Sequence, residues 1–151
     1  MHALIAGPHP GFEQRVRESF TRLTLMRTIG ARLTSVTAGG VEIELAVRDD
    51  LTQQHGYVAA AVMTAIVDTA CGYAAMSLMP PGDGVLTAEY KVNFLAPARG
   101  ERLVARGRVV KAGRRLTVCA GEVYAITNGD EHPVATMLTT MIAVEAERAS
   151  R

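Results

Sequence analysis

Apolar and polar residues alternate along this chain in three distinct rhythms. From Phe12, the residues Phe12, Val16, Phe20 and Leu23 return at helical spacing while Glu13, Arg15, Arg17 and Arg22 fill the other faces, which predicts a short amphipathic helix. Segments 31–37 and 41–47 flank Ala38, Gly39 and Gly40, and in the second of them Val41, Ile43, Leu45 and Val47 alternate strictly with Glu42, Glu44 and Ala46. That predicts a hairpin with one buried and one wet face. After a polar loop from Asp49 to Tyr57, a helix beginning near Val58 or Ala59 runs to Met79, apolar nearly all round and stopped by Pro80, Pro81 and Gly82. Strands follow over 85–95, with Leu86, Ala88, Tyr90, Val92 and Phe94 opposed to Thr87, Glu89, Lys91 and Asn93, then over 102–111, 115–126 and 134–144. Hairpin connections imply antiparallel pairing, and an antiparallel sheet with one apolar helix must wrap that helix, an α+β arrangement.

The long helix carries one charge, Asp68, on a line of small residues that includes Ala61, Ala65, Gly72 and Ala75. Burying an unpartnered carboxylate costs several kcal/mol or raises its pKa, so Asp68 is a candidate site group. The run is about as long as a bilayer span. A central acid costs about 2.5–3.5 kcal/mol on insertion, and the flanks carry neither a Lys/Arg cluster nor an aromatic belt, so a membrane span is rejected.

A chain of 151 residues suits one domain, 1–151, with its core at about 31–144, and a formal charge of +1 gives no general attraction to nucleic acid or membrane. Cys71 and Cys119 lie in apolar segments without metal-ligand spacing, reading as buried thiols of a reducing, cytoplasmic protein. The four histidines are scattered and no metal site is expected.

Residues 53–76, QQHGYVAAAVMTAIVDTACGYAAM, and 85–118, including Asn93 to Ala98, resemble the PaaI-like hotdog-fold acyl-CoA thioesterases. The likeness runs from about Leu33 to Val144. It implies an antiparallel sheet wrapped around one long central helix, with the short N-terminal helix added, and two protomers pairing so that each site forms between them. Where the family's helix starts with His-Gly-Gly, nine residues before its acid, this chain has Ala59, Ala60 and Ala61; His55 and Gly56 stand four residues upstream.

The resemblance gives Asp68 the role of general base or nucleophile and gives the Ala60 N–H the role of stabilising the charge that grows on the thioester oxygen. Gln53, fifteen residues before Asp68, is placed to orient water or carbonyl, His55 to stand in for the missing imidazole, and Thr87 to offer a hydroxyl near the acid. Gly56 and Ala59 belong to the substrate-binding mouth, and Lys111, Gly113, Arg114 and Arg115 at a hairpin tip suit coenzyme A phosphates. Each has a plainer alternative: Asp68 a structural carboxylate, His55 and Gln53 ordinary loop residues, Thr87 a strand residue, the basic tip a solvated turn.

The expected activity is hydrolysis of a medium-chain or aromatic acyl-CoA, with coenzyme A as part of the substrate and no other cofactor. The expected assembly is a homodimer or a homotetrameric dimer of dimers. The alternatives are a non-hydrolytic acyl-CoA-binding protein and a hydratase of the same fold.

Overall fold

The computed structural model describes residues 8–145. The first helix, α1 (Phe12–Arg22), buries Val16 as its spacing predicts. A second short helix that the periodicity did not reveal, α2 (Thr24–Ile29), buries Met26 and Ile29. Then come β1 (Arg32–Thr37) and β2 (Gly40–Ala46), a turn of 3₁₀ helix at Asp49–Leu51, the long helix α3 (Ala60–Met76), and β3 (Gly84–Phe94), β4 (Arg102–Ala112), β5 (Leu116–Thr127) and β6 (Asp130–Val144). The six strands form one antiparallel sheet in the order β1-β2-β4-β5-β6-β3. Helix α3 lies across its inner face, packing on β4, β2, β5, β3 and β6.

The helix is apolar on almost every side because almost every side is covered. Ile66, Val67, Ala70, Cys71, Ala74 and Ala75 have no exposed surface. Two glycines on the sheet make this contact possible. Gly107 and Gly121 are paired across β4 and β5. A Cβ on Gly107 would stand 2.5 Å from the backbone nitrogen of Cys71, and one on Gly121 would stand 2.6 Å from Val67 Cγ2 and 2.8 Å from Cys71 Sγ. The helix therefore touches the sheet at backbone distance. Buried Ser77 then ties the helix end to the first hairpin, donating to Ala74 O at 2.7 Å and accepting from Gly39 N–H at 2.7 Å.

The structure moves several expected boundaries for local reasons. Helix α3 starts at Ala60 rather than Val58 because Val58 is held extended, its N–H bonded to Ala98 O at 2.8 Å and its backbone bridged to Thr52. Strand β6 starts at Asp130, ahead of the expected Val134, because Asn128 and Gly129 (φ 51° and 82°) complete the turn by themselves. Both cysteines are buried and free. Among the described residues, no helix is long and apolar enough to cross a membrane.

Gly107→Ala is expected to destabilise the protein by about 1–3 kcal/mol, because the added methyl meets helix backbone that cannot step aside. Urea unfolding of the two proteins measures it, and equal midpoints would remove the close-approach argument.

Candidate functional site

Asp68 sits on α3 and is half-buried in the side of a cavity of about 660 Å³ between α1, α3 and β3. Thr87 Oγ1 donates a hydrogen bond to Asp68 Oδ1 at 2.8 Å and also approaches Met141 Sδ at 3.4 Å. Desolvation pushes the Asp68 carboxyl above the usual carboxylate range, and the Thr87 hydrogen bond offsets part of that rise. The remaining wall includes Ser19 and Arg22 from α1 and Gly72, Tyr73 and Met76 from the next turns of α3. Ser19 Oγ and Tyr73 OH lie 3.2 Å apart, and the Phe20 and Tyr73 rings pack at 5.9 Å, so α1 is fixed as that wall.

Simple alternation along β3 puts Thr87 on one face with Glu89, Lys91 and Asn93. The structure corrects this. A bulge between Thr87 and Glu89 shifts the register, so that Thr87 opposes buried Met141 while Tyr90, Val92 and Phe94 oppose buried Thr139, Met137 and Ala135. Residues opposed in a ladder share a face, so Thr87 joins the inner row and Leu86 moves to the outer one with Glu89, Lys91 and Asn93. The bulge is what aims the threonine hydroxyl at Asp68.

A second groove, of about 570 Å³, opens at the start of α3 and is lined by Gln53, His55, Tyr57, Ala60, Met63 and the 94–98 segment. Gly56 N–H bonds to Gln53 O and Gln53 N–H to Tyr57 O, closing a tight loop. His55 N–H donates to Gln53 Oε1 at 2.6 Å, which leaves the Gln53 amide NH₂ as its free donor. Ala59 has no side-chain oxygen with which to cap the helix, and the N–H groups of Val62 and Met63 turn back to its carbonyl. Among the described residues, no backbone acceptor pairs with the N–H groups of Ala60 and Ala61. Both alanines keep negative φ, so neither position needs a backbone angle that only glycine adopts. Free donors at the positive end of a helix dipole suit a growing negative charge.

Gln53, His55 and Ala60 thus share one groove, and Asp68 and Thr87 share another cavity with no lining residue in common. At the β4–β5 turn, Gly113 N–H bonds to Leu116 O at 2.8 Å, and Arg114 and Arg115 line a third groove of about 450 Å³ with Asp83 and Val144. Lys111, opposite Val118 in the ladder, lies outside that groove. Asp83 lines both the third groove and the Asp68 cavity, while Arg114 and Arg115 line only the third groove.

Residues 55–131 match the family model of the thioesterase superfamily. The chain belongs to the thioesterase superfamily. A thioesterase family protein from Silicibacter pomeroyi is 47% identical, with a TM-score of 0.88 over 89% of this chain and 99% of that one. The E. coli PaaI protein from the phenylacetic acid degradation operon shares the fold, with a TM-score of 0.79 at 18% identity over 88% of this chain and 93% of that one. A candidate esterase of Saccharolobus solfataricus is 29% identical over 127 residues, 84% of this chain and 82% of its own length. The architecture is the hotdog fold, and the chemistry of this thioesterase superfamily member is of the thioester-hydrolase class.

The sequence reading missed Ser19, Arg22 and Tyr73 as cavity residues. Tyr73 carried a signal, being the one aromatic residue of α3 and five positions beyond the acid.

Because the folded state holds the Asp68 pKa above its unfolded value, it binds more protons than the unfolded chain between those two values, and stability falls as pH rises through that window. The cost is fully present above the folded pKa. Asp68→Asn is therefore expected to melt higher than the parent at pH 7, with the difference shrinking as the pH drops through the raised pKa toward the ordinary carboxylate value. Thermal melts across that range check the sign.

Proposed function

We propose that this thioesterase superfamily member hydrolyses acyl-CoA, acting on medium-chain or aromatic acyl groups. Asp68 is the base or nucleophile. Water is the second substrate. The observation that carries the reading is a site split in two: a half-buried carboxylate held by Thr87 in one cavity, and free N–H groups at the start of α3 in another. Ala60 and Asp68 stand eight residues apart on one helix, about 12 Å along its axis, too far for one thioester carbonyl to meet both.

A second copy of the chain joins the halves. Strand β3 is a free sheet edge whose Leu86, Tyr90 and Phe94 are 62%, 46% and 44% exposed, and self-pairing covers such an edge. In the homodimer, or a dimer of dimers, the carbonyl oxygen rests on the Ala60 N–H of one copy, where the dipole and the Gln53 amide oppose its growing charge. Asp68 of the other copy activates the water or attacks directly, and the thiolate of coenzyme A leaves. His55 lines the same mouth and takes the place of the imidazole that Ala59 lacks, while Arg114 and Arg115 meet the phosphates. The buried free thiols Cys71 and Cys119 fit work in the reducing cytoplasm.

The test is thiol release from a panel of acyl-CoAs. Asp68→Asn is expected to lower kcat by about 10²–10⁴-fold. The parent's rate should rise with pH through an apparent pKa above the ordinary carboxylate range, and Thr87→Val should move that limb to higher pH by removing the bond that lowers it. Replacing Arg114 and Arg115 by Gln should raise KM with little change in kcat. Ala59 in place of a histidine favours one rival, a protein that holds acyl-CoA without cleaving it; tight binding without thiol release in the parent would establish that instead.

A further inference from the structure

Three glycines sit at the contact between α3 and the sheet, and they are not equivalent. Gly107 and Gly121 are required by the close approach of the helix. Gly72, within α3 itself, is not: a Cβ there would meet only Val85 Cγ1 at 3.8 Å and Met141 Cε at 4.0 Å, ordinary contact distances. Its φ is not positive either. A glycine inside a helix is less favourable than alanine because it forfeits backbone entropy and fills no space. Neither sterics nor backbone conformation accounts for this one.

What Gly72 does have is a place in the wall of the Asp68 cavity. It lies four residues beyond the carboxylate, about 6 Å along the helix and on the same side. The residues around it, Met76, Val85 and Met141, are apolar, whereas the charges of Arg15, Glu18, Arg22 and Asp83 also line the cavity. An acyl group whose carbonyl is held beside Asp68 and whose body runs into this cavity passes over Gly72.

We propose that Gly72 is the specificity-determining residue for acyl size: its missing side chain is the space that admits the body of a medium-chain or aromatic acyl group, with Val85 as the facing wall. This rests on the acyl-CoA reading above. Gly72 touches no reacting atom, so it selects the substrate without contributing to the chemical step.

Gly72→Ala separates the two demands on this position. Thermal unfolding of the variant is expected to rise by about 2–4 °C, since the methyl fits and the helix gains. Its kcat/KM for phenylacetyl-CoA and octanoyl-CoA is expected to fall about tenfold or more relative to that for butyryl-CoA, the change lying mainly in KM, because a methyl in an apolar pocket discriminates on that scale. Val85→Ala, which removes the atom nearest the added methyl, should shift the ratio back toward the bulkier substrates. A lower melting temperature in Gly72→Ala, or an unchanged ratio of bulky to small substrates, overturns the proposal while leaving hydrolysis and Asp68 untouched. Should the parent release no thiol from any acyl-CoA, the catalytic reading fails by itself. The size proposal is then decided by the dissociation constants of the phenylacetyl and butyryl thioether analogues of coenzyme A, whose ratio must change in Gly72→Ala for the proposal to stand.

Discussion

The contact of α3 with Gly107 and Gly121 is the constraint from which the rest of the molecule follows. Where two paired residues of neighbouring strands have no side chains, the helix backbone rests on the sheet, and its rotation about its own axis is fixed by Val67, Ala70 and Cys71 meeting that surface. Once that face is set, the others are set with it. Asp68 and Gly72 come round to the cavity beneath α1, and the uncapped first turn emerges at the Gln53–Tyr57 loop. The carboxylate is half-covered because the helix around it is nearly fully covered.

Much of this was legible in the residues, and the parts that were not have definite causes. The strict alternation of Val41, Ile43 and Leu45 with Glu42 and Glu44 marked β2 because one face of it is buried and the other wet. The uninterrupted apolar run around Asp68 marked α3 and its exceptional acid. Alternation misled at β3, where a bulge inserts one residue and transfers Thr87 from the row of Glu89 and Lys91 to the row of Tyr90 and Val92. No composition signal marks that bulge, since it depends on how β6 pairs. Helix α2 escaped because six residues give fewer than two helical turns of periodicity, and Val58 was drawn into α3 because its bond to Ala98 O depends on a segment forty residues away. The grouping of Gln53, His55 and Ala60 followed from closeness in the chain, while the partnership of Tyr73 with Ser19 is a tertiary contact that no local pattern announces.

On the proposed reading, the two half-sites also explain the chain's surface. Strand β3 carries Thr87 on its inner face and leaves its outer edge free, so a second copy pairing there covers the strand that holds the acid's hydrogen-bond donor. Removing water from Thr87 and Asp68 together strengthens the bond between them and deepens the desolvation that already raises the carboxyl's pKa. Assembly and activation of the acid then become one event.

Three positions on α3 run against what stability alone favours. Ala59 leaves the helix N-terminus without a side-chain cap where Ser, Thr, Asp or Asn ordinarily satisfies it, Asp68 keeps a carboxylate partly out of water with no cation paired to it among the described residues, and Gly72 interrupts a helix that has room for alanine. A fold under no other demand fills each of these. All three fall beside the Asp68 cavity or the groove at the start of α3, whereas Gly107 and Gly121, which run against strand preference, are explained by the close approach of the helix. On the proposed reading, local rules broken beside these hollows fit places kept open for a ligand, the donor of one copy and the acid and space of the other serving a single substrate.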